Sequence, residues 1–109
     1  MARFHFFTKT DIDAGVAQFQ ADPKGVLLDV RTPEEYLQQR IPHSDNLPLQ
    51  EIAQARERFP DLDTPFYVYC RSGARSSKAA AALKKMGYTC VNNIGGIMEY
   101  RGETVQGEA

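Results

Sequence analysis

The chain has 109 residues, 42% of them hydrophobic and 25% charged, values near the globular average that exclude collagen-like, coiled-coil and wholly disordered architectures. Thirteen Lys and Arg against fourteen Asp and Glu give a formal net charge of -1, so neither nucleic acid nor an anionic membrane is an expected partner. No stretch approaches the length of a membrane span.

One domain is expected at this length, placed at residues 1–102, with 103–109 as a flexible tail. Arg3 to Phe7 reads as a short edge strand. Thr10 stands as the N-cap of a helix with Ile12, Val16 and Phe19 on one face, and Asp22-Pro23-Lys24-Gly25 ends it. Val26 to Val30 is an almost unbroken apolar run, as in a strand buried on both faces. Thr32-Pro33-Glu34-Glu35 has the form of a capping box and opens a short helix that stops before Pro42. Asn46-Leu47 reads as a brief strand and Leu49 to Phe59 as a helix. Phe66 to Cys70 is a strand by β-propensity, and Ser76 to Met86 is a helix ended by Gly87. Thr89 to Ile94 forms the last strand, followed by a Gly95-Gly96 turn and a single helical turn from Ile97 to Arg101. This alternation predicts an α/β fold, a mostly parallel sheet with helices on both faces, with ligands beyond the carboxyl ends of the strands. Cys70 and the segment Asp29-Val30-Arg31 lie at such ends.

Two cysteines, Cys70 and Cys90, are too few for a disulfide scaffold. They have no zinc-like spacing to each other or to His5 and His43, so no metal or cofactor is expected, and the cytoplasm is the expected compartment. Cys90 reads as an apolar filler within its strand. Cys70-Arg71-Ser72-Gly73-Ala74-Arg75 runs from strand end to helix start, where backbone N–H groups and a helix N-terminus can cradle an anion. Gly73 permits the positive φ that such a loop needs, and Arg71 and Arg75 flank it with fixed charge. An ordinary cysteine, with a pKa of about 8.5, is only ~3% thiolate at pH 7. Lowering it to about 6.5 needs roughly 2.7 kcal/mol, of which a helix N-terminus supplies ~0.3–1 and at most ~2. Inward amides and the arginines are expected to supply the rest, with no histidine acting as base.

These residues resemble the active-site loop of rhodanese-like sulfurtransferases, Cys-Arg-Ser-Gly-x-Arg-Ser, which here continues into Ser76. Leu28-Asp29-Val30-Arg31-Thr32-Pro33-Glu34-Glu35-Tyr36, Ile41-Pro42 with Asn46-Leu47-Pro48-Leu49, and Asn93-Ile94-Gly95-Gly96-Ile97 resemble three further signatures of that family. The resemblance implies a three-layer sandwich around a five-stranded parallel sheet in the order 3-2-4-5-1. It also implies a two-step transfer, in which Cys70 takes the outer sulfur of thiosulfate or a persulfide donor and passes it to cyanide, a thiol or a dithiol protein. Arg71, Ser72, Gly73, Ala74 and Arg75 would then bind the small anionic donor.

Asp29 and Arg31 have two readings, as rim residues supporting the loop or substrate and as a salt bridge; Glu35 reads as the capping-box residue. Lys78, Lys84 and Lys85 read as a solvated helix face. Arg40, His43 and Ser44 depart from the family's usual Gly-His-Ile-Pro-Gly-Ala, and His43 is disfavoured if that position needs a positive φ. A Cys70–Cys90 disulfide is not expected, since about three residues of offset between parallel neighbours separates the Cα atoms by roughly 11 Å. Two rival functions stand beside sulfur transfer from thiosulfate. A thiol phosphatase or arsenate reductase would carry Cys-x5-Arg, one residue longer than the loop here. A persulfide carrier or partner-binding module of the same fold would not turn over thiosulfate.

Overall fold

Apolar side chains alternating along the central strands create the two faces of the sheet. A computed structural model describes residues 11–107. Its strands β1 (Val26–Asp29), β2 (Ser44–Asn46), β3 (Phe66–Cys70) and β4 (Val91–Gly96) form a parallel sheet in the order β2-β1-β3-β4. The sheet thus has four strands among the described residues, not the five expected. The expected first strand, Arg3 to Phe7, lies outside those residues, and the other four follow the expected order.

Period-two geometry sends Leu28, Phe66, Val68 and Cys70 to one face, where they meet Ala79 and Leu83 of α4 (Ala74–Lys85) and Ala55 of α3 (Ala55–Arg58). Leu27, Tyr67 and Tyr69 face the other way, onto Ile12 and Val16 of α1 (Ile12–Gln20). Every residue of β3 is buried, as in a central strand covered on both faces. Each large apolar side chain so enclosed contributes about 1.5–3 kcal/mol.

The capping box is present as expected at α2 (Pro33–Gln38): Glu35 N–H donates to Thr32 Oγ1 (3.2 Å) and Thr32 N–H to Glu35 Oε1 (2.9 Å). The cap of α1 is Asp11, whose carboxylate accepts from Ala14 N–H, while Thr10 lies outside the described residues. The helix expected from Leu49 to Phe59 is a 3-10 helix over Leu49–Gln54 that becomes α3. Gly95 and Gly96, expected as a turn, belong to β4. The residues expected to form a flexible tail from 103 onward are docked as far as 107, because the chain finds backbone partners there. Val105 forms an antiparallel bridge with Arg40, each N–H donating to the other's carbonyl at 2.9 Å, and Gly107 N–H donates to Leu37 O. Among the described residues no helix is long and apolar enough to cross a membrane.

His43 has φ 71°, the single positive value among the described non-glycine residues. The glycine in the signature that this segment resembles is therefore explained by backbone geometry. A left-handed residue costs about 1–2 kcal/mol with a Cβ, and glycine's extra unfolded-state freedom returns about 0.5–1. His43→Gly should stabilise the fold by about 0.5–1 kcal/mol, read from the denaturant midpoint at constant slope.

Candidate active site

The loop from Cys70 to Arg75 leaves the C-terminal end of β3 and enters α4. Gly73, at φ 107°, is the N-cap residue, and this turn aims its own N–H at Cys70 Sγ, 3.0 Å away. Cys70 is 1% exposed and Ser76 is fully buried, with Ser76 Oγ 3.6 Å from the sulfur. Burial pushes the Cys70 thiol up, but the Ser76 hydroxyl and the N–H groups of Ser76, Gly73 and Ser72 outweigh it and hold the thiol below its ordinary value. Hydrogen bonds to a charged group are worth about 1.5–3 kcal/mol each, which is how these donors offset the cost of burying the sulfur. The cradle of inward amides expected from the sequence is therefore present, a hydroxyl reinforces it, and Arg75 acts on the sulfur through charge alone.

Ser76 Oγ also lies 2.7 Å from Asn93 Oδ1, which in turn accepts from Gly95 N–H at 3.1 Å. In the thiol state S–H donates to Ser76 Oγ and the hydroxyl proton goes to Asn93. In the thiolate state that proton can turn to sulfur while Asn93 keeps the Gly95 amide. A β-bulge places Asn93 for this task. Val68 pairs with Asn93 but Tyr69 pairs with Gly95, so Ile94 is passed over and Gly96 comes opposite Cys70. A Cβ at Gly96 would lie 2.3 Å from Arg71 O and 2.5 Å from Ser72 Cα, so only glycine lets β4 support the loop from behind. Ser76 and Asn93 were not among the expected site residues, although both stand within motifs quoted from the sequence.

The other expected residues divide. Arg71, Ser72 and Ala74 are exposed around the mouth. Arg75 donates from Nη1 and Nη2 to Glu35 Oε1 (2.8 Å) and Oε2 (3.0 Å), so Glu35 serves the loop as well as its capping box. Asp29 and Arg31 are 0% and 4% exposed, and form a buried pair through Arg31 Nη2 and Nε, with Nη2 also donating to Gln39 O. Their polar atoms hold the β1–α2 turn, as in the salt-bridge reading.

Cys90 is exposed and precedes β4, so it is not an apolar filler. Its carbonyl accepts from Phe66 N–H, at the end of the sheet opposite Cys70. An offset of five residues at about 3.3 Å each puts it well beyond disulfide reach, and both cysteines are free. A cavity of about 580 Å³ beside Tyr36, Arg40 and His43 is lined by none of the loop residues. Among the described residues no His, Cys, Asp and Glu cluster could hold a metal ion.

The fold is a parallel α/β sheet with a strand-end cysteine whose sulfur faces the amides of the following loop. The rhodanese-like domain pattern matches residues 14–103, and the chain belongs to that family. It is 37% identical over 81 residues to thiosulfate sulfurtransferase PspE of Escherichia coli (strain K12), covering 73% of this chain and 78% of that one. It is 42% identical over 93 residues to a sulfurtransferase of Allochromatium vinosum, covering 83% and 86% respectively. A solved structure described as rhodanese with anions from E. coli superposes with TM-score 0.71 at 36% identity, over 76% of this chain and 99% of that one. These similarities support sulfur transfer as the general chemistry.

Two measurements test this electrostatic arrangement. Ser76→Ala should move the pH profile of Cys70 alkylation by iodoacetamide upward, with Cys70 followed by peptide mass. Glu35 is lowered to about 2 from its ordinary 4.5, chiefly by the Arg75 hydrogen bond. A depressed carboxylate stabilises the fold above its unfolded value and loses that contribution as pH falls. The stability decline between pH 4.5 and about 2 should therefore be shallower in Glu35→Gln.

Proposed function

We propose that this protein moves sulfane sulfur from thiosulfate, or from a persulfide donor, to a thiol or dithiol protein through a persulfide on Cys70. The observation that carries this reading is the placement of Cys70 Sγ 3.0 Å from the Gly73 N–H and 3.6 Å from Ser76 Oγ, donors that favour its anion. The Cys70 thiolate attacks the outer sulfur of thiosulfate. A bond forms between the two sulfurs, the S–S bond of thiosulfate breaks, and sulfite leaves with the electron pair. Sulfite is a stable anion, so no general acid is needed. The amides that stabilise the thiolate are equally suited to the anionic persulfide, and the loop residues Arg71 to Arg75 frame the donor. An acceptor thiolate then attacks the outer sulfur and releases Cys70 as thiolate, which balances the cycle.

The enclosure of Cys70, at 1% exposure, favours a slender donor over a bulky one. Loading carries the reactive sulfur about 2 Å farther out, one S–S bond closer to an acceptor. Free thiols suit a reducing compartment such as the cytoplasm.

After mixing with thiosulfate, intact mass should rise by one sulfur atom, sulfite should appear in equal amount, and Cys70→Ser should show neither. A wild-type chain that keeps its mass in thiosulfate but gains sulfur from a protein persulfide would instead be a persulfide carrier.

A further inference from the structure

The loop carries two arginines, and the structure treats them differently. Arg75 meets Glu35 in a two-point contact at 2.8 and 3.0 Å. The same carboxylate accepts from Thr32 N–H at 2.9 Å and from the Thr32 hydroxyl at 3.1 Å, so it joins the first turn of α2 to the first turn of α4. Opposite charges in contact largely cancel for a third charge a few ångströms beyond them. A donor anion approaching Arg75 would also compete with a carboxylate already held by four donors. Arg71 is the contrasting case. Its carbonyl is anchored by Met98 N–H at 3.1 Å, while its side chain is exposed. Among the described residues the Arg71 guanidinium has no hydrogen-bond or ion-pair partner.

We propose that Arg71 is the side chain that recognises the anionic sulfur donor, and that Arg75 is a positioning residue whose charge Glu35 cancels. The mouth then presents one effective positive charge above the loop amides. Arg75 and Glu35 together fix where α4 begins, and so where the Gly73 and Ser76 donors stand. The inference rests on the donor reading for its substrate, but its primary readout does not depend on turnover.

That readout is the ratio of Cys70 alkylation rates with iodoacetate, an anion, and iodoacetamide, its neutral analogue. Both reagents attack the same thiolate, so the ratio cancels the ionised fraction and reports the field at the mouth. Peptide mass isolates Cys70 from the exposed Cys90. Arg71→Gln should lower the ratio about tenfold. Glu35→Gln keeps a residue that capping boxes accept, and should raise the ratio several-fold by exposing the charge of Arg75. Replacing Glu35 and Arg75 together by Gln should leave the ratio within about twofold of wild type. KM for thiosulfate should rise about tenfold in Arg71→Gln, with a smaller change in kcat. A ratio unmoved in Glu35→Gln would mean the contact is merely structural and would overturn the masking. A ratio that falls in the double variant but holds in Arg71→Gln would transfer recognition to Arg75 and overturn the assignment. If wild type released no sulfite from thiosulfate, the proposed donor would be wrong, while the alkylation ratios would still decide between the two arginines.

Discussion

A sulfur anion at the end of a buried strand has lost most of its water, so protein donors must replace that solvation or the group stays protonated. Here the replacement is local and largely backbone: Gly73 N–H lies 3.0 Å from Cys70 Sγ, joined by the N–H groups of Ser72 and Ser76 and by the Ser76 hydroxyl. These donors exist because Gly73 adopts φ 107°, which curls the chain before α4 begins. The sheet fixes the sulfur from below, since β3 is buried along its whole length. The thiol is thus set by the shape of one loop rather than by a partner base.

The loop is held from two sides by unlike means. From β4, Gly96 lets backbone rest on backbone against Arg71 and Ser72, and Asn93 orients Ser76. From α2, Glu35 reaches Arg75 while still capping its own helix. The first support is steric and insensitive to pH. The second is ionic, and weakens when Glu35 takes a proton. The buried Asp29–Arg31 pair, farther back, fixes the β1–α2 turn that carries Glu35.

Much of this was legible in the chain because some signals are local. The Thr32 capping box, the apolar run of β1 and the β-propensity of β3 all lie within a few residues, and each element appears where expected. The positive φ at His43 was likewise readable from the glycine it replaces. What escaped depends on residues distant in sequence. Glu35 meets Arg75 across forty positions, and Ser76 meets Asn93 across seventeen. The docking of Val105 on Arg40 spans sixty-five positions and uses backbone groups that carry no side-chain signature. Cys90 was misjudged because strand ends are weakly marked: β4 starts at Val91, and that small change moves the thiol from interior to surface.

The bulge at Ile94 carries a consequence for how this strand can vary. Before it, Val91 and Asn93 face α4 and Ile94 faces α1; after it, Gly96 rather than Gly95 comes level with Cys70. The parity of inward and outward positions therefore reverses once within six residues. Removing Ile94 would restore a regular alternation that keeps Asn93 and Gly96 level with Val68 and Cys70, but it would take away the side chain that fills the α1 face. β4 is thus one residue longer than its ladder with β3 requires, and that residue serves the α1 layer, while Asn92 ties the two strands through its Nδ2 donation to Phe66 O at 3.1 Å.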